Sequence, residues 1–206
     1  MSIKLKVVLD SDTILTGQKG TNNKVAALMD TSLGLPYIDA HTLKGTMRKG
    51  LEELKPYLSE VNLGKIIETL FGTETCSSKL QLSHCNISTA VAQHIGTLIA
   101  EGVLTSDELK QALVTEQYNI SINSKGTAKD GSLRTTELVN KGLVFYSEVT
   151  ENLTQEELEV LALGCITLRS LGARSSRGAG AVTVSLLIND KDVTADYVKG
   201  LEKRVS

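Results

Sequence analysis

The chain has 206 residues, of which 41% are hydrophobic and only 3% aromatic, so it can bury the core of one ordinary domain, and that core must be aliphatic. No apolar run approaches the roughly 20 residues of a membrane helix, so we expect no membrane partner. The N-terminus is too polar for a signal peptide, and the three cysteines lack close pairing, so we expect a cytoplasmic protein. The net charge of −2 argues against a uniformly basic nucleic-acid-binding protein.

The first third of the chain predicts one strand and two helices. Alternating apolar and charged residues predict a strand at 3–9, and the polar, glycine-containing residues 16–24 predict a loop. A helix is predicted over 41–58, with Thr42 as its cap. It rests on an apolar stripe that consists of Leu43, Met47, Leu51, Leu54 and Leu58. A second, shorter helix is predicted to end at Gly72.

The remainder predicts an alternation of strands and helices. Apolar and alternating runs predict strands at 79–87, 118–124, 142–149 and 181–188. Apolar stripes predict helices at 88–102, 105–117, 154–172 and 194–204, two of them with capping boxes, Thr105 with Glu108 and Thr154 with Glu157. The polar, basic residues 125–137 predict no regular structure. This order is typical of the split β-α-β arrangement of ferredoxin-like folds, an α+β sheet with helices on one face.

Basic residues are concentrated in three segments, 41–50, 121–136 and 169–177, whereas the rest of the chain is acidic. Such segregation produces a local positive potential on a nearly neutral molecule. The alternative is that these cations lie by chance on solvated loops and helix faces.

The third basic segment continues into a glycine-rich loop, LGARSSRGAGAV, at 171–182. Glycines let backbone N–H groups approach an anion, and Arg174 and Arg177 would add charge-assisted hydrogen bonds to phosphate. The loop follows a predicted helix and precedes a strand, the reverse of a P-loop or Rossmann motif, so no nucleotide cofactor is expected. The alternative is a tight connection that needs positive φ at Gly172, Gly178 or Gly180.

This loop closely resembles the C-terminal glycine-rich loop, G-x-R-x-x-R-G-x-G, of the RAMP superfamily of CRISPR systems. Further stretches resemble family segments in the same order: LPYIDAHTLKGTMRKGLEEL at 35–54, LFGT at 70–73, KLQLSHCNI at 79–87 and LRTTELVNKGLVFYSEV at 133–149. The resemblance covers about residues 3–188. It implies a ferredoxin-like (RRM-like) palm with a thumb loop or hairpin and helical insertions. The single domain, 1–206, would comprise a palm at 1–118 and 142–190, a thumb at about 119–141 and a C-terminal tail at 191–206.

Within the superfamily the sequence is most similar to the backbone subunit of type III effector complexes. That resemblance implies guide RNA, complementary target RNA, other effector subunits and copies of itself in a filament as partners. In target-cleaving members an Asp upstream of a proline turn is catalytic, and the matching residue is Asp30, with a divalent metal, Mg²⁺ or Mn²⁺, as cofactor. The family's spacing is commonly longer than that from Asp30 to Pro36, and His84 stands where it has a strand Asp. By pattern alone, Asp30 is an ordinary turn residue.

The candidate site residues fall into a catalytic and an RNA-binding set. Beside Asp30, His41 is a candidate general acid or base; the alternatives are a helix-terminal residue or a base-stacking platform. Leu133 is the apolar residue best placed to wedge between bases. The other candidates for RNA contact are Lys44, Arg48, Lys49, Lys125, Lys129, Arg134, Gly172, Arg174, Arg177, Gly178 and Gly180, and for the helix cations the alternative is a solvated face.

Three functions remain open at this point. The first is a guide-RNA-binding backbone subunit of a type III CRISPR complex that cleaves target RNA with a metal. The second is a metal-independent RAMP endonuclease that processes precursor guide RNA and uses a histidine. The third is a structural RAMP subunit without nuclease activity.

Overall fold

The computed structural model of the protein describes residues 1–16, 24–58, 62–122, 126–129, 132–173 and 178–205. The strands in this part of the chain are β1 (Ile3–Leu9), β2 (Lys24–Val25), β3 (Val114–Asn119), β4 (Arg134–Val139), β5 (Val144–Val149), β6 (Val182–Ile188) and β7 (Lys191–Asp192). The α-helices are α1 (Ala40–Leu54), α2 (Leu63–Phe71), α3 (Thr89–Ala100), α4 (Ser106–Leu113), α5 (Gln155–Thr167) and α6 (Thr194–Val205). A 3₁₀ turn, Lys55–Tyr57, follows α1.

The main sheet is antiparallel and has the order β5-β1-β6-β7, with β1 in its interior. Val7 of β1 lies opposite Phe145 on one side and Val184 on the other. Because side chains alternate along a strand, Ile3, Leu5, Val7 and Leu9 are buried on one face, while Lys4, Lys6 and Val8 lie on the other. The alternation that predicts this strand therefore also sets which face of the sheet carries the core.

Helices cover the apolar face of this sheet. Helices α1 and α5 pack against each other, and α5 also contacts α2, α6 and β6. The predicted stripe residues Leu43, Met47 and Leu51 are fully buried, and so is Cys165 of α5. Gly164 of α5 gives Met47 the room to pack closely against the helix. The predicted aliphatic core is confirmed, since Phe145 and Phe71 are the aromatic residues among its buried members in the described part of the chain.

The predicted strand at 79–87 forms only isolated bridges, so that prediction is wrong in extent. Leu82 pairs with Val149 and Asn86 with Tyr146, on the outer side of β5. Between them, the hydroxyl of Ser83 accepts the Glu148 amide, which interrupts the regular backbone ladder. The segment nevertheless lies where the edge strand of a ferredoxin-like sheet belongs. The fold is the predicted α+β, ferredoxin-like arrangement.

A second, three-stranded sheet has the order β2-β4-β3 and corrects three predictions. The helix predicted over 105–117 ends at Leu113, the strand predicted at 118–124 is β3, Val114–Asn119, and the region 125–137, predicted to be irregular, contains the start of β4. Tertiary pairing overrides local pattern here, because β3 and β4 pair antiparallel along their whole length. The predicted thumb, about 119–141, covers the outer part of this β3–β4 hairpin.

The helix termini confirm two caps and correct one. Both predicted capping boxes are present, at Thr105 and Thr154. The cap of α1 is Asp39, not Thr42, since an Asp39 carboxylate oxygen accepts the amides of His41 at 2.8 Å and Thr42 at 3.2 Å. Asp39 has the extended backbone of an N-cap residue and a short carboxylate that reaches the first-turn amides, whereas Thr42 already lies inside the helix, which starts at Ala40. In the described residues, no helix combines the length and apolarity that a bilayer crossing requires.

Candidate nucleic-acid interface

A groove of about 300 Å³ lies where α1, the segment after β1 and the glycine loop meet. Asp39, Thr42 and Thr46 give it a polar side along the helix, whereas much of the remaining lining is apolar. The residues that line it are Ile14, Leu15, Thr16, Leu28, Ile38, Asp39, Thr42, Thr46, Gly172 and Ala173. The fold therefore brings parts of two predicted basic segments to one groove, Thr42 and Thr46 from 41–50 and Gly172 and Ala173 from 169–177.

The glycine loop is a hairpin closed by backbone hydrogen bonds. The Leu171 amide donates to the Gly180 carbonyl at 2.8 Å, and the Val182 amide donates to the Arg169 carbonyl at 3.1 Å. On its other edge the hairpin joins the segment after β1, where Ala173 pairs with Ile14. The predicted Arg174 and Arg177 lie outside the described residues.

Two of the loop glycines are required by contacts inside the protein. Gly172 and Gly180 have φ of +78° and +83°, and a Cβ at either position would lie 2.2 Å from a backbone oxygen, that of Ile14 or of Leu171. Gly178 also has a positive φ, +81°, but a Cβ there would meet nothing within 4 Å. The tight-connection interpretation therefore accounts for Gly172 and Gly180, and Gly178 is the one with open space beside it.

The predicted cations of α1 divide between two faces. Lys44 is turned inward: its ammonium donates to the Ser78 hydroxyl and, at 2.7 Å, to the Leu80 carbonyl. Burial lowers the pKa of Lys44 from its usual range. Arg48, on the same face, lies 3.7 Å from a carboxylate oxygen of Glu52. Neither residue lines the groove, and an RNA-binding role for Lys44 and Arg48 stays a prediction of the resemblance.

Lys49 is the helix cation on the groove side. At about 100° per residue, Lys49 follows Thr42 and Thr46 on one face of α1. Its side chain is exposed, and it forms no ion pair or side-chain hydrogen bond with any residue that the structure describes. Gly45, beside it, leaves the helix surface open, because a Cβ there would have no neighbour within 4 Å. Lys49 does not line the groove itself, but it lies one turn beyond Thr46, where it is available to a phosphate that extends out of the groove.

Asp30 lies in the loop between β2 and α1, where its carboxylate organises the turn. One oxygen accepts both the amide and the hydroxyl of Ser32, each at 2.6 Å, and the other accepts the Leu33 amide at 3.3 Å. Partial burial raises the pKa of Asp30, but these hydrogen bonds more than offset it, so the pKa lies below its usual value. The side chain is therefore ionised at neutral pH, and the turn-residue interpretation is sufficient to explain its position.

Asp30 is the residue through which the protein could hold the divalent metal that the resemblance implies. In the parts of the chain that the structure describes, no three His, Cys, Asp or Glu side chains converge on a metal site. An ionised Asp30 fits as one protein ligand of a Mg²⁺ or Mn²⁺ ion, since Mg²⁺ is commonly held by one or two carboxylates with waters and substrate phosphates completing its shell.

The histidines near α1 differ in their surroundings. His41 is exposed in the first turn, next to the groove residues Asp39 and Thr42. His84 accepts the Ala40 amide through Nδ1 at 3.2 Å, and that nitrogen lies 3.6 Å from the Asp39 carboxylate. The contacts of His84 support the helix terminus, so His41 is the histidine that a ligand in the groove could reach.

The β3–β4 hairpin carries an exposed apolar face that was only partly anticipated. Leu133 is 54% exposed, as a wedge residue would be, and Lys129 and Arg134 are exposed beside it. Tyr118, Ile120 and Ile122, up to 72% exposed, extend the face along the opposite strand, and no prediction included them. The signal was present in the alternation YNISI, but a strand pattern does not tell whether its apolar side is covered. The predicted Lys125 lies outside the described residues.

Comparisons with known proteins identify a family. The model of the RAMP superfamily matches residues 8–183. Among solved structures, a chain of "Cryo-EM structure of the Type III-B Cmr-beta bound to cognate target RNA" superposes with a TM-score of 0.64 at 11% identity, covering 96% of this chain and 99% of that one. A chain of "Type III-B Cmr-beta Cryo-EM structure of the Apo state" gives a TM-score of 0.66 at 12% identity over 93% and 99%.

A search of curated proteins gives no match. At these identities, the two solved structures establish a shared fold. The family model spans most of the chain and includes the glycine loop that borders the groove. This protein is a member of the RAMP superfamily.

Proposed function

We propose that this protein is a backbone subunit of a type III CRISPR effector complex that holds guide RNA by its phosphates. Family membership and the end-to-end similarity to chains of Cmr-beta complexes, one of them bound to target RNA, support this proposal. Other effector subunits and copies of this chain in a filament would be its partners.

The groove beside the glycine hairpin is the observation that carries the proposal. Thr42 and Thr46 of α1 lie along one wall, and Gly172 and Ala173 of the hairpin lie along the other. Lys49 lies one turn beyond Thr46 on the same face of α1, and Arg174 and Arg177 follow Ala173 in the sequence. Cations and hydroxyls contact phosphate without reading bases, which suits a subunit that must accept many guide sequences. The net charge of −2 is no obstacle, because the potential that acts on RNA is local.

The first prediction concerns the salt dependence of guide binding. In the complex assembled with its operon neighbours, Lys49→Ala is expected to weaken guide RNA three- to tenfold. The slope of log K against log salt should fall by about 0.7 for each phosphate of a single strand that the protein no longer neutralises. Arg174→Ala with Arg177→Ala should reduce the slope by about twice as much. Fluorescence titrations at several salt concentrations measure both quantities.

The matched control is Lys65→Ala, an exposed lysine on α2 that lines a different surface pocket. It should leave the affinity and the slope unchanged. Equal effects of Lys49→Ala and Lys65→Ala would show that the groove has no special part in binding.

We further propose that Asp30 takes part in metal-dependent cleavage of the bound target RNA. The ionised carboxylate and the loop position that matches the family's catalytic Asp support this role. A bound Mg²⁺ or Mn²⁺ would stabilise charge on the scissile phosphate. Asp30 would contribute one ligand and hold the turn through Ser32.

The second prediction follows from that role. Asp30→Asn, which preserves size and can still accept the Ser32 amide, should reduce target cleavage at least a hundredfold while guide retention stays within twofold. Asp107→Asn, at an exposed position in the first turn of α4, is the control and should cleave normally. Cleavage of labelled target with added Mg²⁺ or Mn²⁺, and with EDTA, is the assay.

Other outcomes of this assay identify the alternative functions. Cleavage that survives in Asp30→Asn would leave a structural subunit as the better description. Processing of precursor guide RNA in EDTA that is lost in His41→Ala would identify the metal-independent endonuclease, and the exposure of His41 beside the groove is the observation that keeps this candidate.

A further inference from the structure

Glu137 is a buried carboxylate that joins three separate segments of the chain. It lies in β4 with only 1% of its surface exposed. One carboxylate oxygen accepts the Ala27 amide at 2.9 Å. The other lies 3.0 Å from both the Lys24 ammonium, in β2, and the Lys110 ammonium, in α4. A strand, a loop and a helix therefore meet at a single side chain.

The surroundings show that this carboxylate is charged. Burial raises the pKa of Glu137, but the hydrogen bonds from Ala27, Lys24 and Lys110 more than offset it, so the pKa lies below its usual value. Conversely, hydrogen bonds to Glu137 and Glu116 raise the pKa of Lys24 to about 12. A buried charge is tolerated only where its partners stay in place, so the arrangement strongly disfavours departure of any of them.

The backbone partner of Glu137 belongs to the Asp30 loop. Ala27 is three residues before Asp30, and the residue after it, Leu28, donates its amide to the Leu15 carbonyl at 2.7 Å. Beyond Asp30 the loop folds back, since the Asp30 amide donates to the Leu35 carbonyl at 2.8 Å. Next to the backbone pairing of β2 with β4, Glu137 adds a side-chain hydrogen bond that attaches this loop to the β3–β4 hairpin.

The same network reaches the exposed face of the hairpin. Lys24 also pairs with Glu116 at 3.0 Å, and the second oxygen of Glu116 accepts the Tyr118 hydroxyl at 2.7 Å. Tyr118 belongs to the exposed apolar face described above. A continuous chain of polar contacts thus connects the hairpin surface with the loop that carries Asp30.

From this geometry we propose that Glu137 is a positioning residue that fixes the Asp30 loop against the hairpin and so sets where the Asp30 carboxylate stands relative to bound RNA. The proposal rests on the proposed role of Asp30 in cleavage. Glu137 itself touches neither RNA nor metal; it acts through the Ala27 amide and Lys24.

The test combines hydrogen exchange with cleavage kinetics. In the full chain, Glu137→Ala should raise the exchange rate of the Ala27–Asp30 amides at least tenfold, and Glu137→Gln should restore part of the protection, because its amide oxygen can still accept the Ala27 N–H. In the assembled complex, the Glu137→Ala variant should cleave target RNA at least tenfold more slowly than the wild type. It should also need at least fivefold more Mn²⁺ for half-maximal rate, with guide retention unchanged.

Glu157 provides a matched control. It is also buried and bound to a lysine, Lys79 at 2.7 Å, and it accepts the Thr154 amide at 2.7 Å, but neither partner belongs to the Asp30 loop. Glu157→Gln should not change exchange in the Asp30 loop. If Glu137→Ala does not fold, the double variant Lys24→Met with Lys110→Met removes the two lysine partners of Glu137 at partly exposed positions. It should raise the amide exchange rate of the Asp30 loop in the same way.

Two results separate this proposal from the one on which it rests. Loop exchange that is equal to wild type in folded Glu137→Ala, or in the double lysine variant, would overturn the positioning role whatever the cleavage result. Normal cleavage in Asp30→Asn would overturn the catalytic role of Asp30, and the exchange data would still decide whether Glu137 holds the loop.

Discussion

Gly178 and Gly180 lie two residues apart with nearly the same φ, but only Gly180 has a backbone oxygen where a Cβ would stand. The sequence motif predicts glycine at both positions and cannot tell the two apart, because the oxygen belongs to Leu171 across the hairpin. The sequence likewise cannot distinguish Lys44, which is hydrogen-bonded inside the protein, from Lys49, which is exposed. Both are basic residues of one helix, and the segment that covers Lys44, Ser78 to Leu80, lies more than thirty residues further on.

The glycines give a prediction about stability. Gly178→Ala should cost about 1 kcal/mol, since only the left-handed backbone opposes it. Gly180→Ala should cost about 3 kcal/mol or more, because the hairpin must also open to admit the methyl group. Urea unfolding followed by circular dichroism compares them. Equal costs would mean that the hairpin closure at Leu171 is not tight in solution.

At the scale of elements, local periodic patterns predict helices and strands correctly, whereas boundaries that depend on tertiary pairing are not predicted. The pattern of β1, the stripe of α1 and the capping boxes of α4 and α5 each have a local cause, and the structure contains all of them. The start of strand β3 was missed, because its residues continue the α4 helical pattern until pairing with β4 takes over at Val114. The edge segment near Ser83 looks like a strand in sequence and is broken by its own hydroxyl.

For the candidate site, too, the sequence predicts individual segments but not how they come together. The glycine loop and α1 could be named from their residues, but that they border one groove depends on the ferredoxin-like topology. The sequence contains no sign that Glu137 is buried and bound to two lysines, since a Glu in a polar stretch such as LRTTE is typical of an exposed residue. Only the pairing of β2, β4 and β3 encloses it.

At the scale of the whole molecule, several ionised carboxylates support the fold and determine its response to acid. The pKa values of Glu137, Glu157, Asp30 and Asp192 all lie below their usual values of 4.5 for Glu and 3.8 for Asp, because in each case hydrogen bonds outweigh the effect of burial. For such groups the stabilisation is complete above the unfolded-state pKa and is lost as the pH falls through the folded-state pKa.

The free energy of unfolding should therefore be nearly constant from pH 7 to about 5.5 and fall steadily below about pH 4.5. Urea unfolding at pH 7, 5.5, 4 and 3 measures the profile. Glu137→Gln should start from a lower stability at pH 7 and lose less on acidification, since it no longer has that carboxylate to protonate. A wild-type protein that becomes more stable towards pH 4 would contradict the assignment of these groups as charged in the folded state.

The position of β1 also has a consequence for how the protein is made. Of the strands of the main sheet, β1 is synthesised first, and it lies between β5 and β6, whose residues follow some 140 to 180 positions later. A nascent chain cannot pair β1 with both of its neighbours until residue 188 has emerged, so β1 stays without its final neighbours while most of these residues are translated. Pairings between such distant segments form slowly, and an early strand that waits for them is exposed to chaperones and to aggregation in the meantime.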